Sequence, residues 1–210
     1  YTVCLLLIAI GCYYLLPVSL LFYLALICWC FFLLFIMHFP KGQRFWASHL
    51  SLRAGLGALL LIPFIEALLY IKLQQNGATW LTLILLMVWA ADTGAYFTGK
   101  KFGKIKLIPN VSPNKTREGL YGGIALSMFV VFIFGLLTKN PIFLEPYFIL
   151  GLFLCVLFAV VGDLMESAIK RFAKVKDSGN ILPGHGGILD RVDSLIAALP
   201  IFALTLWLFG

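Results

Sequence analysis

The chain has 210 residues, 62% of them hydrophobic and only 12% charged, and a net charge of +7. With a mean hydropathy of +1.01, that composition excludes a soluble domain of this size. The apolar runs do not alternate with polar residues, which excludes a β-barrel. The expected class is all-α, a polytopic integral membrane protein with about seven transmembrane helices.

Seven apolar runs cover 2–16, 18–38, 54–71, 79–97, 120–138, 147–166 and 193–209, most near the length that crosses a bilayer. The first is short. The chain opens at Tyr1 inside an apolar run, which suggests a fragment or missing N-terminal helices, and nothing basic precedes it to mark a cleavable signal peptide. Cys4, Cys12, Cys28, Cys30 and Cys155 all fall within apolar runs and read as small buried or lipid-facing groups. Cys28 and Cys30 are two apart, on different helix faces, which suits neither a metal nor a disulfide.

Fourteen of the sixteen basic residues gather in three loops. Lys41, Arg44 and Arg53 lie around 39–53. Lys100, Lys101, Lys104, Lys106, Lys115 and Arg117 lie in 98–119. Lys170, Arg171, Lys174, Lys176 and Arg191 lie in 168–192. Lys72 and Lys139 alone fall in the intervening loops. The alternation fits successive crossings and places the basic loops in the cytoplasm and the C-terminus outside. Topology and attraction to anionic lipid explain the sign of the charge. They do not explain the acids, seven of which (Asp92, Glu118, Asp163, Glu166, Asp177, Asp190, Asp193) lie in or beside the two larger basic loops. Carboxylates and cations on one membrane face suggest a site that handles metal ions and phosphates.

The stretch from Leu86 to Gly123 carries Asp92 near the end of an apolar run and then a loop rich in Lys and Gly. Ser112-Pro113-Asn114-Lys115-Thr116 leads into the next helix and resembles a phosphate-contacting element, with lysine as a point charge and hydroxyls as donors. It has neither P-loop nor Rossmann glycine spacing. Farther on, Asp163, Ser167 and Lys170 share a helix face at i, i+4 and i+7. An Asp inside an apolar segment is costly without a partner, so the structural alternative is an Asp–Lys tie between helices. Pro183-Gly184-His185-Gly186-Gly187 can form a backbone anion nest, or simply a sharp turn. Asp190 and Asp193 stand at i and i+3 where the last run begins. One acid there suits a helix N-terminus. Two on one face look more like hard oxygen ligands for a divalent metal, magnesium best of all. Glu66 sits apart and reads as structural or near the outer surface.

The pattern Ser167-x2-Lys170-Arg171-x4-Lys176-Asp177-x5-Pro183-Gly184-His185-Gly186-Gly187-x2-Asp190-Arg191-x-Asp193 resembles the signature of the phosphatidate cytidylyltransferases, also called CDP-diacylglycerol synthases. Asp92-Thr93-x-Ala95-Tyr96 and Ser112-Pro113-x-Lys115-Thr116-x-Glu118-Gly119 resemble a second conserved region of that family. The motifs run in the family's order over about half the chain. Members are usually longer at the N-terminus, and Arg117 stands where they commonly have an aromatic residue.

The resemblance implies a single transmembrane catalytic domain over 1–210, with motif regions 92–119 and 163–193. It implies the reaction of CTP with phosphatidate to give CDP-diacylglycerol and pyrophosphate. It also implies magnesium with potassium as a candidate second cation, no nucleic-acid partner, and a multi-pass homodimer in the inner membrane with its site on the cytoplasmic side. The metal ligands it implies are Asp163 and Asp190, with Asp193 beside them. Lys115, Lys170, Arg171, Lys176 and Arg191 are then the cations available to phosphates. His185 becomes a hydrogen-bond donor to phosphate or, less directly, a proton shuttle, and Asp177 joins the catalytic set. Asp92, Ser112, Thr116, Ser167, Gly184, Gly186 and Gly187 become substrate-binding residues. Two other readings stand beside this one. A CTP-using lipid-alcohol kinase would depend more on a general base. A transporter would place its polar groups near the bilayer midplane, whereas these gather at one face.

Overall fold

The computed structural model describes residues 2–40, 50–175, 177–179 and 187–210. Among the described residues, seven α-helices carry the architecture: α1 Thr2–Leu15, α2 Val18–Met37, α3 Leu50–Leu73, α4 Gly77–Phe102, α5 Arg117–Thr138, α6 Pro146–Ala173 and α7 Leu189–Phe209. Six of these, α2 to α7, are long and apolar enough to cross a membrane, and the chain is an all-α polytopic membrane protein. The described part of the first run, α1, has 14 residues, about 21 Å at 1.5 Å per residue.

Three helices run past the apolar stretches that announced them. α4 continues to Phe102 and ends on Lys100 and Lys101. α6 continues to Ala173 with Lys170 and Arg171 in its last turn. Cations are favoured at helix C-termini, where the carbonyls are unpaired, so these segments extend as helix where hydropathy alone reads loop. α7 begins at Leu189, which puts both Asp190 and Asp193 on helix.

Between α4 and α5 lies an element the sequence reading lacked. β1 (Lys106–Ile108) pairs antiparallel with β2 (Ser112–Thr116), matching Lys106 with Thr116 and Ile108 with Ser112. Thr116 then caps α5, its hydroxyl accepting from the Gly119 amide at 3.1 Å, a standard way to satisfy a first-turn donor. The Glu118 carboxylate accepts from the Ile105 amide at 3.3 Å, tying the hairpin's base to the helix. Buried Val111 fixes its tip. The tip is held from two sides: Arg171 Nε donates to the Val111 carbonyl and Asn110 Nδ2 to the Phe39 carbonyl, both at 3.4 Å.

Two helix pairs position the site. Along the α4–α5 seam, a Cβ on Gly94 would stand 2.5 Å from the Gly122 carbonyl oxygen, and one on Gly123 would stand 2.6 Å from the Ala91 carbonyl oxygen. The backbones touch there, as small residues permit between membrane helices. Ser127 Oγ adds a buried bond to the Met87 carbonyl at 2.8 Å. In the α6–α7 pair, a Cβ on Gly162 would collide with the backbone carbonyl of Asp193 and lie 3.0 Å from Ala197 Cβ. The residue just before Asp163 is thus a point of close approach to α7, which sets Asp193 beside Asp163. α7 is the central helix, buried nearly continuously from Ile196 to Leu206.

Candidate functional site

The end of the bundle where α4 and α6 finish and α5 and α7 begin is also the end where the basic residues gather. Its polar groups form two tiers along the helix axes. α6 spans about 42 Å, roughly 12 Å more than a bilayer's hydrocarbon core. Asp163 lies ten residues before Ala173 and Lys170 only three before it, an axial separation of about 10 Å.

The inner tier holds Asp92 of α4, Asp163 of α6, Asp193 of α7 and Lys115 of β2. Lys115 Nζ pairs with Asp163 Oδ2 at 2.5 Å. Ser167 Oγ donates to the other Asp163 oxygen at 3.4 Å, as the i, i+4 spacing predicts. Asp92 stands within electrostatic reach of Asp163, Asp193 and Lys115. The hairpin explains why Lys115 is here: it carries the lysine from the connection onto a helix 48 residues further along the chain. A cavity of about 460 Å³ opens beside this tier, between the α4–α5 pair, the hairpin and α6. Ala91, Ala95, Gly123 and Val160 form apolar wall, and Asp92, Lys115 and Asp163 line its polar end.

The outer tier is built around Lys170. Its ammonium bridges Glu166 Oε2 at 2.7 Å and Asp190 Oδ1 at 2.8 Å. The second oxygen of Asp190 accepts from the Ser178 amide at 2.9 Å, and from the Ser178 hydroxyl and the Gly187 amide at 2.8 Å each. One carboxylate thus joins both ends of the connection between α6 and α7 to the helix that follows. Lys170 does not meet Asp163, although the two share a helix face. The Asp–Lys ties run instead from hairpin to α6 and from α6 to α7.

Glu166 is the residue the motif reading passed over. It was visible as an acid four positions before Lys170, spacing that makes helical ion pairs. Nothing in the sequence showed that it also lies against Asp190 and Asp193. Its Oε1 is buried, with no hydrogen-bond partner among the described residues.

Of the remaining expected site residues, Ser112 opens β2 and Thr116 closes it as the α5 cap. Arg171 serves the hairpin tip. Asp177 is exposed beside Ser178, and Arg191 is exposed on the first turn of α7. Lys176, Pro183, Gly184, His185 and Gly186 lie outside the described residues. Gly187 contributes its amide to Asp190.

A divalent cation suits the donors in type. Asp92, Asp163, Glu166, Asp190 and Asp193 outnumber the two lysines paired with them. They offer the hard oxygens that magnesium takes. An orphaned buried carboxylate oxygen at Glu166 calls for a positive or donating partner. Among the described residues, no three ligand-type side chains already converge at metal-binding distance, so binding requires that lysine ties be exchanged.

The sequence profile of the Cytidylyltransferase family matches residues 1–209. Several phosphatidate cytidylyltransferases are similar to this chain. That of Pseudomonas aeruginosa is 41% identical over 187 residues, 89% of this chain and 69% of the relative. That of Haemophilus influenzae is 40% identical over 185 residues, 83% and 64% respectively. That of Bacillus subtilis is 50% identical over 139 residues, 66% and 51%. The chain therefore spans between about half and two-thirds of the length of these relatives. With the profile matched over nearly its full length and the motif residues gathered at one end of the bundle, the chain belongs to the cytidylyltransferase family.

Proposed function

We propose that the protein transfers cytidylate from CTP to phosphatidate, yielding CDP-diacylglycerol and pyrophosphate, at the cytoplasmic face of the inner membrane. The observation that carries this is the pair of lysine–carboxylate clusters, Lys115–Asp163 and Lys170–Glu166–Asp190, at the basic end of the bundle. The names of the relatives support the choice of substrates.

A phosphate-monoester oxygen of the lipid attacks the α-phosphorus of CTP. A new P–O–P bond forms as the bond to the β-phosphate oxygen breaks, and pyrophosphate leaves with that electron pair. With a second pKa near 6 the monoester is largely dianionic at neutral pH, so no strong general base is needed. The difficulty is repulsion between two polyanions. Positioning and charge stabilisation dominate such reactions. Lys115, released from Asp163, and Lys170, still positioned by Glu166, each hold a phosphate. Asp190 holds Ser178 and Gly187 against the start of α7 beside the lysine. Asp163, Asp190 and Asp193 would hold magnesium, with potassium the candidate second cation, and the bound divalent ion would supply charge neutralisation for the triphosphate. The enzyme works as a homodimer in this reading.

The test is pyrophosphate release by the purified chain in mixed micelles, with and without phosphatidate, magnesium and EDTA. Release that requires both lipid and magnesium is the expected result. Release independent of phosphatidate contradicts the reading.

A further inference from the structure

Glu66 lies deep in a membrane-spanning helix, far from both lysine clusters. α3 has 24 residues, about 36 Å against roughly 30 Å of hydrocarbon. Glu66 stands seven residues before its last, Leu73, about 10 Å in along the axis. That places the carboxylate within hydrocarbon. α3 ends where α4 begins, at the end of the bundle opposite the charged site. The residue is 1% exposed, and its Oε1 has no hydrogen-bond partner among the described residues. No ion pair among the described residues reaches it. Lys72 lies six positions on, off its helix face. An ionisable group at such depth is costly unless a partner compensates it.

Two cavities meet at Glu66. One, of about 290 Å³, lies between the ends of α1 and α3 and the start of α2, and is also lined by Tyr13, Tyr70 and Gln74. Gln74 Nε2 donates to the Tyr70 carbonyl at 3.3 Å, which leaves its Oε1 as an acceptor. The Tyr70 ring is held edge-on by Phe22, with centroids 5.4 Å apart. The second cavity, of about 370 Å³, runs between α1 and α3 from Tyr13 along Ile10 to Leu6, with Ile65 and Leu69 opposite. That wall is hydrocarbon apart from Glu66 and the tyrosine hydroxyls.

We propose that Glu66, Tyr13, Tyr70 and Gln74 form a second binding site, which takes an organic ammonium borne on an apolar chain. The carboxylate supplies the counter-charge, and a buried charge needs one. The Gln74 oxygen and the tyrosine hydroxyls accept from the ammonium N–H groups, and the tyrosine faces attract a cation. The apolar chain lies in the second cavity, along α1. A metal ion does not suit the same groups. Magnesium dehydrates reluctantly and takes several hard oxygens, and no three ligand-type side chains converge among the described residues. The ammonium can come from an amine-headgroup phospholipid or from a free long-chain amine. The site is separate from the reaction and does not depend on which reaction the charged end performs.

The experiment uses the full chain in uncharged detergent micelles, with Glu66→Gln and Tyr13→Leu as variants. Binding of hexylammonium and of hexanol, its uncharged counterpart, is measured by titration calorimetry and by the shift in thermal midpoint. The wild type is expected to bind hexylammonium about tenfold to a hundredfold more tightly than hexanol, the range for a hydrogen bond to a charged group. Glu66→Gln is expected to erase that preference and leave hexanol binding as it was. Tyr13→Leu replaces a half-exposed side chain and is expected to reduce the preference severalfold. Without amine, Glu66→Gln is as stable as the wild type or more so, since only binding repays the buried charge. Equal binding of hexylammonium and hexanol by the wild type overturns the proposal, as does a preference that survives in Glu66→Gln. Should Glu66→Gln fail to fold, Tyr13→Leu decides, and an unchanged preference there overturns it. A second arm compares lipid nanodiscs of phosphatidylethanolamine and phosphatidylglycerol. A higher midpoint in phosphatidylethanolamine for the wild type, absent in Glu66→Gln, identifies the lipid headgroup as the source. Hexylammonium binding without that lipid effect identifies a free amine. Cytidylyl transfer by Glu66→Gln is measured alongside, so that failure of the proposed reaction and failure of this site are read separately.

Discussion

Glu166→Gln isolates one feature of the outer tier. The amide matches the carboxylate in shape, so no cavity opens. It removes a charge from the pair whose Nζ–Oε2 distance is 2.7 Å, with side-chain exposures of 20% for Lys170 and 13% for Glu166. Lys170 keeps its bond to Asp190 at 2.8 Å, so the ammonium is not stranded, and it gains freedom to swing. A hydrogen bond to a charged group contributes about 1.5–3 kcal/mol, and partial exposure puts the expected loss at the lower end. If half or more of that is felt in the transition state, kcat/KM falls by about threefold to tenfold, at roughly 1.4 kcal/mol per decade. The assay is steady-state cytidylyl transfer in mixed micelles with each substrate varied in turn. The CTP-dependent parameters are expected to fall, and Glu166→Asp to recover part of the loss. Wild-type CTP parameters in Glu166→Gln would refute the claim that Glu166 positions Lys170.

Asp190→Asn removes a carboxylate that engages Lys170, Ser178 and Gly187 at once. It should abolish activity while insertion into the membrane, followed by fractionation, remains intact. Gly123→Val forces a side chain into the Ala91 carbonyl and should split the α4–α5 seam, read as a large fall in thermal midpoint together with loss of phosphatidate binding. Glu66 is 1% exposed and its Oε1 has no partner among the described residues. Glu66→Gln should therefore hold or raise the thermal midpoint with turnover unchanged, because an unpaired buried carboxylate oxygen is a cost without evident return. A marked fall in stability would show that Glu66 has a partner that matters.

The helices were legible because hydropathy and length determine them. Their ends were not, because basic residues at the C-termini of α4 and α6 extend helix into segments that composition reads as loop. The hairpin was hidden for a different reason. Ser112-Pro113-Asn114-Lys115-Thr116 has turn composition and weak strand propensity, and it pairs only because the capped start of α5 and Arg171 hold it. The candidate site showed the same division. Residue types and their gathering at one end of the bundle could be read directly, and Ser167 met Asp163 as spacing required. Which lysine met which acid could not, since the Lys115–Asp163 and Lys170–Asp190 ties depend on the hairpin's swing and on the close approach of α7 at Gly162. Glu166 gained its place through contacts with another helix, which a linear motif does not carry.

The most direct test of the central claim follows two labels of CTP, one on the α-phosphate and one on the γ-phosphate, in micelles containing phosphatidate and magnesium. The account predicts α-label entering the lipid fraction in equal amount to γ-label appearing as pyrophosphate. γ-Label passing to a supplied lipid alcohol, with no α-label in lipid, would contradict it.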